Sequence, residues 1–346
     1  MKKTYQTFLC LSAFVLLNGS SVSAGDDVHI TMPEVVDAPE VKAIVVPAVK
    51  LYVDGQDEAG AKEPASKKEE IIFSKNVPPN YYKKESVDIQ QVKVGEINNH
   101  RVPAYLRAPI ISETQIRSNL ETAGFTVLGT YTLDKKSAVK SVIFTDQTMT
   151  STASKKTRGF AGTLRILIDE KSALISISNP IYVMRAFMQD EYDSALATQT
   201  LERLRTAFPG VENSKDLVKF SRLERYHFMA SMPYYEDMEE VASGSNELLL
   251  KKARASKTVV YEQHLDNGSV VLGISLSKRT KKFVKKIGYE NGGLLPYPVL
   301  IEDNKAKILA PKYYIAVMYP LLSMSEFMAI ATTPGAIEKE CEKIFR

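Results

Sequence analysis

Basic side chains are concentrated in two loops of the sequence, residues 154–158 and residues 278–286. Each loop comes shortly before one copy of a repeated apolar segment. Clustered cations can hold phosphate or carboxylate groups, an acidic partner or an anionic lipid surface, although a solvated face is the simpler interpretation. We keep both interpretations. The candidate anion- or partner-binding residues are Lys155, Lys156, Arg158, Lys278, Arg279, Lys281, Lys282, Lys285 and Lys286.

Methionines recur four residues apart, a spacing that places two side chains on one side of a helix. Thioethers presented in this way could bind Cu(I) in an exported protein. Filling of irregular core space is the more ordinary role of methionine. We therefore predict no metal site and retain four methionines only as subordinate copper candidates: Met184, Met188, Met324 and Met328.

Side chains typical of catalysis lack the spacing that known mechanisms need. The sequence contains no Gly-x-Ser-x-Gly elbow, and its four histidines are scattered without a His-x3-His pair. Cys341 falls on the apolar stripe of a predicted helix, where a buried thiol is inert. We therefore predict no catalytic residue and no cofactor.

Two acid pairs occupy matching places, Asp169-Glu170 and Glu302-Asp303. Paired carboxylates could act as a general acid and base. Both pairs fall at a predicted turn between two strands, where solvated acids are expected. We therefore predict that they are turn residues.

A repeated segment organises the chain. ILIDEKSALIS at residues 166–176 returns as VLIEDNKAKIL at residues 299–309, with four of eleven positions identical at an offset of 133. IYVMRAFM at residues 181–188 is echoed by IAVMYPLL at 315–322, and LERLRTAF at 201–208 by IEKECEKI at 337–344. A slowly drifting offset is typical of one duplicated folding unit with a small insertion.

The elements around this repeat predict an α+β fold. We expect two tandem, duplicated α/β-sandwich domains, residues 101–212 and 217–346, each with an antiparallel or mixed sheet and helices on one face. The predicted strands of the first domain are 102–110, 125–132, 139–145, 164–168 and 173–178, and its helices follow Ser112 and cover 147–154 and 194–208. The predicted strands of the second are 222–232, 258–264, 269–275, 299–302 and 306–310, and its helices lie within 234–252 and from Thr333 onward.

The N-terminal region predicts export. Residues 1–24 combine two lysines, an apolar run and the small residues Val22-Ser23-Ala24, the order of a cleavable signal peptide. Residues 25–100 are acidic and proline-rich, which predicts an arm or linker that is largely disordered or extended. We expect a periplasmic or secreted protein beginning near Gly25, with no transmembrane segment after cleavage and no nucleic-acid partner.

A family resemblance rests on the phrases LETAGFTVLGTYTLDKK, VIFTD, RGFAGTLRILID and ISNPIYVMRAF. Residues 102–208 resemble the bacterial family catalogued as domain of unknown function 302, and residues 219–345 resemble it more faintly. In the second copy Lys312-Tyr313-Tyr314 stands where the first has Asn179-Pro180, which is a departure from the family pattern. The resemblance implies a small α+β domain that pairs with another copy, and it transfers no catalytic residue.

These observations favour an exported, non-enzymatic binding or interaction protein built as an internal pseudo-dimer, itself a monomer or homodimer. Its partner would be a protein or small ligand of the exported compartment, and a ligand site would lie in the groove between the copies. We expect the copies to meet on the sheet faces opposite the helices or along matching strand edges. The alternative is an enzyme or copper carrier with a site at the same interface.

Overall fold

The computed structural model describes residues 93–136 and 138–346, which form a mixed α+β structure with antiparallel sheets. The export signal predicted at residues 1–24 and the arm up to residue 92 lie outside the described residues. Residues 93–100, the end of the predicted arm, pack on the folded part. Gly95 N donates to Asn213 Oδ1 at 2.6 Å, and Gly95 O accepts from Asn179 Nδ2 at 2.9 Å. The folded part therefore begins before Arg101.

The first half of the structure contains a six-stranded antiparallel sheet in the order β3-β4-β5-β6-β2-β7. Its strands are β1 (Arg101–Pro103), β2 (Tyr105–Pro109), β3 (Thr126–Asp134), β4 (Val139–Thr145), β5 (Leu164–Asp169), β6 (Leu174–Ser178) and β7 (Glu212–Asn213). Its helices are α1 (Glu113–Thr122), α2 (Gln147–Ala153), α3 (Pro180–Met188) and α4 (Ser194–Ala207). Strand β1 lies outside this sheet and pairs with residues Leu217–Lys219.

The second half contains a five-stranded antiparallel sheet in the order β10-β11-β12-β13-β9. Its strands are β8 (Leu217–Lys219), β9 (Glu239–Ser243), β10 (Val259–His264), β11 (Val270–Ile274), β12 (Tyr297–Glu302) and β13 (Lys305–Ile308). Its helices are α5 (Phe220–Leu223), α6 (Asn246–Ala255), α7 (Phe283–Ile287), α8 (Pro311–Met318), α9 (Met324–Ala329) and α10 (Thr333–Lys343).

The two sheets share one strand order. Four consecutive strands are neighbours in each sheet, β3 to β6 in the first and β10 to β13 in the second. Strand β2, which precedes α1, lies beside β6, and β9, which precedes α6, lies beside β13. Strand β2 therefore matches β9, and β3 to β6 match β10 to β13. The helix after each series begins with proline, Pro180 in α3 and Pro311 in α8. Proline suits this position because the first helical N–H has no intrahelical acceptor. Ala310-Pro311, and not Lys312-Tyr313-Tyr314, therefore stands where the first half has Asn179-Pro180.

The hairpins β5–β6 and β12–β13 differ in loop length. Asp169 pairs with Leu174, which leaves the four loop residues 170–173, whereas Glu302 pairs with Lys305 and leaves only Asp303 and Asn304. The latter two have φ of 50° and 61°, as a tight hairpin turn requires. The matching offset therefore falls from 133 to 131 at this turn, whereas the sequence alignment kept 133 through it and let the offset rise afterwards; the alignment is wrong directly beyond the turn.

Local signals account for most helix starts. Ser112, Asp146, Asn179, Asp193, Ser245 and Ser323 each accept a hydrogen bond from a backbone N–H of the first turn that follows. At Ser112 the serine half of a capping box forms, while the Gln115 side chain donates to Asn119 and does not return to the Ser112 backbone. Thr333 and Pro334 open the last helix as predicted, and Ile337 and Cys341 are buried on it.

The start of the second half departs from the prediction. Residues 222–232 form no strand; they contain the end of α5 and irregular backbone. The first strand of the sheet is β9, and its helix α6 begins only after Ser245. Tyrosines and methionines at residues 226–238 mimic a strand, yet Tyr235 is the one that is fully buried, while Met229 and Tyr234 are about 40 % exposed. Tertiary packing therefore overrides the local β propensity here.

Both faces of the central strands are covered. All six residues of β5 and of β12 are buried, which requires a layer on each side. Helix α6 packs on β12 and β13 from one side. On the other side, a 3-10 turn of each half reaches the opposite sheet: Gly159–Gly162 packs on β11 and β12, and Gly292–Leu294 packs on β4 and β5. Edge strands β3 and β10 also meet, so the halves join by sheet face and by strand edge together.

Candidate binding cleft between the two sheets

The contacts between the sheets are reciprocal. A Cβ added to Gly159 would lie 2.8 Å from Leu300, and one added to Gly292 would lie 3.6 Å from Leu167. Both pairs of matching residues differ by 133 in number, so each 3-10 turn meets the same strand position of the other sheet. The approach to Leu300 requires glycine at Gly159, and Leu133 and Val284, at 2.9 and 3.0 Å from an added Cβ, require it at Gly292.

Tyrosines make a second reciprocal contact between α3 and α8. Tyr182 Oη donates to Val317 O at 2.6 Å, and Tyr313 Oη donates to Ala186 O at 3.3 Å. The acceptors belong to the last turns of the two helices, whose carbonyls lack intrahelical donors. Burial raises the pKa of both hydroxyls well above the ordinary tyrosine value, so both stay protonated donors.

A cleft of about 300 Å³ opens where the loop before the first 3-10 turn meets β9 and β13. It combines side chains from both halves, which is the position expected for a ligand site. The residues that line it are Thr157, Arg158, Tyr235, Glu236, Met238, Glu240 and Lys307. Arg158 is one of the nine basic candidates.

Arg158 is held from three sides. Its Nη2 donates to Asp190 Oδ1 at 2.8 Å, its Nη1 donates to Thr157 Oγ1 at 3.1 Å, and its guanidinium lies 5.3 Å from the Tyr235 ring centroid. Burial lowers the pKa of Arg158, but the hydrogen bond to Asp190 and the charge of that carboxylate outweigh it and raise the pKa overall. Its buried Nε has no hydrogen-bond partner among the described residues. One donor of this cation is thus uncommitted.

Backbone contacts hold the loop that carries Arg158. Thr157 has φ of 61°, and its N–H donates to both carboxylate oxygens of Glu302, at 3.1 and 3.0 Å. Tyr235 Oη donates to Thr157 O at 2.6 Å. Burial raises the pKa of Tyr235 above its ordinary range, which preserves the hydroxyl as a donor. The loop of the first half is therefore anchored by two residues of the second.

The acid pairs correct the expectation of solvated turn carboxylates. Asp169 and Glu302 are only 3 % and 4 % exposed, because they end strands whose faces are covered. Asp169 accepts from the N–H groups of Lys171 and Ser172 at 3.1 Å and closes its own turn. Glu302 accepts from the N–H of Thr157 in the first half. In each acid pair, one carboxylate accepts hydrogen bonds from backbone N–H groups. The other member of each pair, Glu170 or Asp303, is exposed.

The other basic candidates do not converge on one site. Lys155 pairs with Glu191, and Lys156 pairs with Asp303 at 2.8 Å, a contact that raises the pKa of Lys156. Lys281 Nζ donates to Thr132 O at 3.0 Å and joins the halves. Lys286 Nζ donates to Ala329 O at 3.1 Å. The remaining candidates are exposed: Lys278, Arg279, Lys282 and Lys285.

The copper candidates fall in different environments. Met184 and Met188 are buried in α3, at 3 % and 1 % exposure, whereas Met324 and Met328 are 43 % and 63 % exposed on α9. The first pair fills core space. In the described part of the chain, no group of three or more His, Cys, Asp or Glu side chains could hold a metal ion. Within the same part, no helix is both long and apolar enough to cross a bilayer.

Arg165 is a buried cation near the centre of the interface. It is 3 % exposed, and its Nη2 lies 3.4 Å from Tyr261 Oη of the other half. Its Nε has no partner in the described residues, and none of their carboxylates forms an ion pair with it. The matching position in β12 is Pro298, so this cation belongs to one half only.

Several residues of the interface escape sequence reasoning. Lys307 and Tyr235 carry no motif, because the cleft forms only when two distant segments meet. Asn179, which opens the NPIY phrase, clamps the fold: its Nδ2 donates to Gly95 O and Pro103 O, and its Oδ1 accepts from Ile181 N. The signal that could have found Tyr182 and Tyr313 is the shared Pro-x-Tyr at residues 180–182 and 311–313.

Comparison with known proteins gives no relative: no family model, no curated protein and no solved structure matches this chain.

Proposed function

We propose that this chain is an exported, non-enzymatic binding protein whose two halves derive from one duplicated unit and form an internal pseudo-dimer. Its cleft at Arg158 binds an anionic group of a partner or small ligand. The observation that carries the proposal is that Arg158 of one half and Lys307 of the other line the same cleft.

The duplication is supported by agreement between three independent features. The sequence echo before the β5–β6 turn, residues 166–169 against 299–302 at an offset of 133, is one. The shared strand order of the two sheets is the second. The reciprocal contacts of the glycine turns and of Tyr182 and Tyr313 are the third. Self-complementary contacts of this kind are typical of a two-fold dimer interface, here within one chain.

Anion binding is supported by the donors that the cleft leaves uncommitted. Arg158 retains an unused buried Nε, and Lys307 forms no ion pair or hydrogen bond within the described residues. Glu240 also lines the cleft, but Lys305 pairs with it at 2.6 Å. Lys307 is therefore available to a carboxylate or phosphate, together with Arg158, whose Nη2 already pairs with Asp190; Glu236 adds one carboxylate to the lining.

Export is supported by the composition of residues 1–24, which has the order of charged, apolar and small residues found in secretory signals. The partner would then belong to the periplasm or the exterior, where intracellular nucleic acid is not a physiological ligand.

The test follows the Met238 methyl group, which lines the cleft, by NMR while the purified protein is titrated with succinate and with inorganic phosphate. We expect a saturable shift with at least one anion, and loss of that shift in Arg158→Gln and in Lys307→Gln. Lys285→Gln is the matched control, because Lys285 is exposed in the other basic loop. A Met238 resonance that neither anion moves would contradict the proposed function.

A further inference from the structure

No strand of the described chain pairs with the outer edge of β9, although α10 contacts this strand, whereas a strand covers the matching edge of the first sheet. Strand β7 pairs with the outer edge of β2 through Leu106↔Asn213 and Arg107↔Glu212. In the second sheet β9 is the last strand, and in the described chain no strand pairs with its outer side. An open edge presents unpaired N–H and C=O groups to any extended segment.

Register identifies the matching positions at this edge. Arg107 pairs with Ser176 across β2 and β6, and Glu240 pairs with Lys307 across β9 and β13. The cation of the first pair is Arg107, and the cation of the second pair is Lys307. Asn291 and Arg158 also match, because each immediately precedes the 3-10 turn of its half.

In the first half this place is filled by the chain itself. The segment that begins with β7 continues to Asp216, whose Oδ2 accepts from Arg107 Nη2 and from Asn291 Nδ2, each at 3.3 Å. Tyr105 of β2 holds the same segment by accepting from Ser214 N and donating to Ser214 Oγ. A strand and the carboxylate three residues beyond it therefore occupy the edge together.

In the second half the same place is the 300 Å³ cleft. Arg158 stands at the position that Asn291 has in the other half. On the paired strands, the cation of the first half is Arg107 in β2, whereas the cation of the second half is Lys307 in β13. Asn291 thus has a cationic counterpart in Arg158, whereas the position of Arg107 is held by Glu240, which pairs with Lys305 and lies opposite Lys307, beside an edge with no strand on it. A carboxylate that enters the cleft would pair with the guanidinium of Arg158.

We infer that β9 and the Arg158 cleft bind an extended acidic peptide segment of a partner, which adds as an antiparallel strand to β9 and places a carboxylate between Arg158 and Lys307. This inference rests on the proposed function and specifies its ligand. Strand addition supplies affinity through main-chain hydrogen bonds, and the carboxylate supplies selectivity.

The probe is a capped synthetic peptide with the chain's own edge sequence, residues 211–217 (VENSKDL). Its binding to the full protein is measured by calorimetry, and backbone NMR locates it. We expect perturbed amides in β9 and undisturbed amides in β2. The Asp216→Asn version of the peptide and the Arg158→Gln protein should each lose about tenfold in affinity, since a charge-assisted hydrogen bond is removed. The Asn213→Pro peptide, which cannot pair as a strand, should lose at least as much.

The outcomes separate the two proposals. If succinate or phosphate moves Met238 but the peptide binds without perturbing β9, the peptide inference is wrong and the proposed function stands. The inference also fails if the Asn213→Pro peptide or the Asp216→Asn peptide binds as tightly as the parent peptide. It fails as well if the parent peptide displaces β7 from β2. If neither the anions nor the peptide reach the cleft, both proposals fail. Lys285→Gln again serves as the control variant.

Discussion

Tyr182 and Tyr313 each cap the helix that carries the other. Tyr182 Oη donates to Val317 O, four residues beyond Tyr313, and Tyr313 Oη donates to Ala186 O, four residues beyond Tyr182. The two hydrogen bonds are therefore related by a two-fold exchange of α3 and α8. The end of α8 is capped further by Tyr226 on Ala316 O at 3.0 Å and Tyr105 on Met318 O at 2.7 Å. Tyrosine hydroxyls therefore satisfy carbonyls that the helix itself leaves unpaired.

Tyr182→Phe should lower the free energy of unfolding by about 1–3 kcal/mol, because Val317 O is left buried without that donor. Tyr313→Phe should cost less, since its bond is longer and Gln189 Nε2 also donates to Ala186 O. Denaturant unfolding measures both. Tyr192→Phe is the control, because that ring is half-buried and its hydroxyl has no hydrogen bond within the described residues. Equal effects in all three variants would contradict the capping role.

Gly159→Ala should destabilise the protein by about 1–3 kcal/mol, as overpacking of a filled core does. The new methyl group would lie 2.8 Å from Leu300, 3.0 Å from Val271 and 3.1 Å from Leu265. Thermal unfolding measures the change. In the control, Gly335→Ala in α10, the methyl group meets nothing within 4 Å, so stability should hold or rise. A neutral Gly159→Ala would show that the interface is looser than these contacts imply.

Arg165→Met should leave stability unchanged or raise it by about 1 kcal/mol, because a buried cation without a carboxylate is exchanged for an apolar side chain of similar length. Arg203→Met is the contrasting variant. Arg203 pairs with Asp146, which is 5 % exposed, so its loss should destabilise the protein. Chemical denaturation compares the two. Strong destabilisation by Arg165→Met would reveal a bound counter-ion at Arg165.

Cys341 should be unreactive toward a maleimide in the folded protein and reactive in denaturant. The thiol is fully buried, and burial raises its pKa far above the ordinary value, so almost no thiolate is present. The measurement uses a Cys10→Ser background, in which one of the two cysteines remains. Rapid modification under native conditions would mean that α10 opens locally far below the global unfolding free energy.

The exported form should begin near Gly25. The charged, apolar and small-residue order of residues 1–24 motivates this expectation. Intact mass measurement on protein recovered from the periplasm or the medium is the check, and expression of a chain beginning at Gly25 without export provides the mass standard. An N-terminus at Met1 on cytosolic protein would contradict it.

Strong local patterns identify many elements of this fold. Strand β4 follows the predicted boundaries, 139–145, and the predicted strands 258–264 and 269–275 form the hairpin β10–β11. Proline and capping side chains mark the starts of α8, α10 and α1, although the sequence alignment misses the match between Pro311 and Pro180. By contrast, β9 is five residues long and mostly exposed, so its own pattern is too weak to predict it.

The candidate cleft is only partly visible in the sequence. Arg158 belongs to a basic loop that composition singles out, but composition does not distinguish it from Lys155 or Lys285. Tyr235 and Lys307 line the cleft together with Arg158, and Glu302 holds the neighbouring Thr157. All three come from segments roughly 80 to 150 residues away from Arg158 in the chain. Local patterns thus determined which segments become strands and helices, since caps, turns and side-chain alternation act over a few residues. The tertiary structure alone decided which cation lies beside a free strand edge, because that depends on how two sheets pack across the interface.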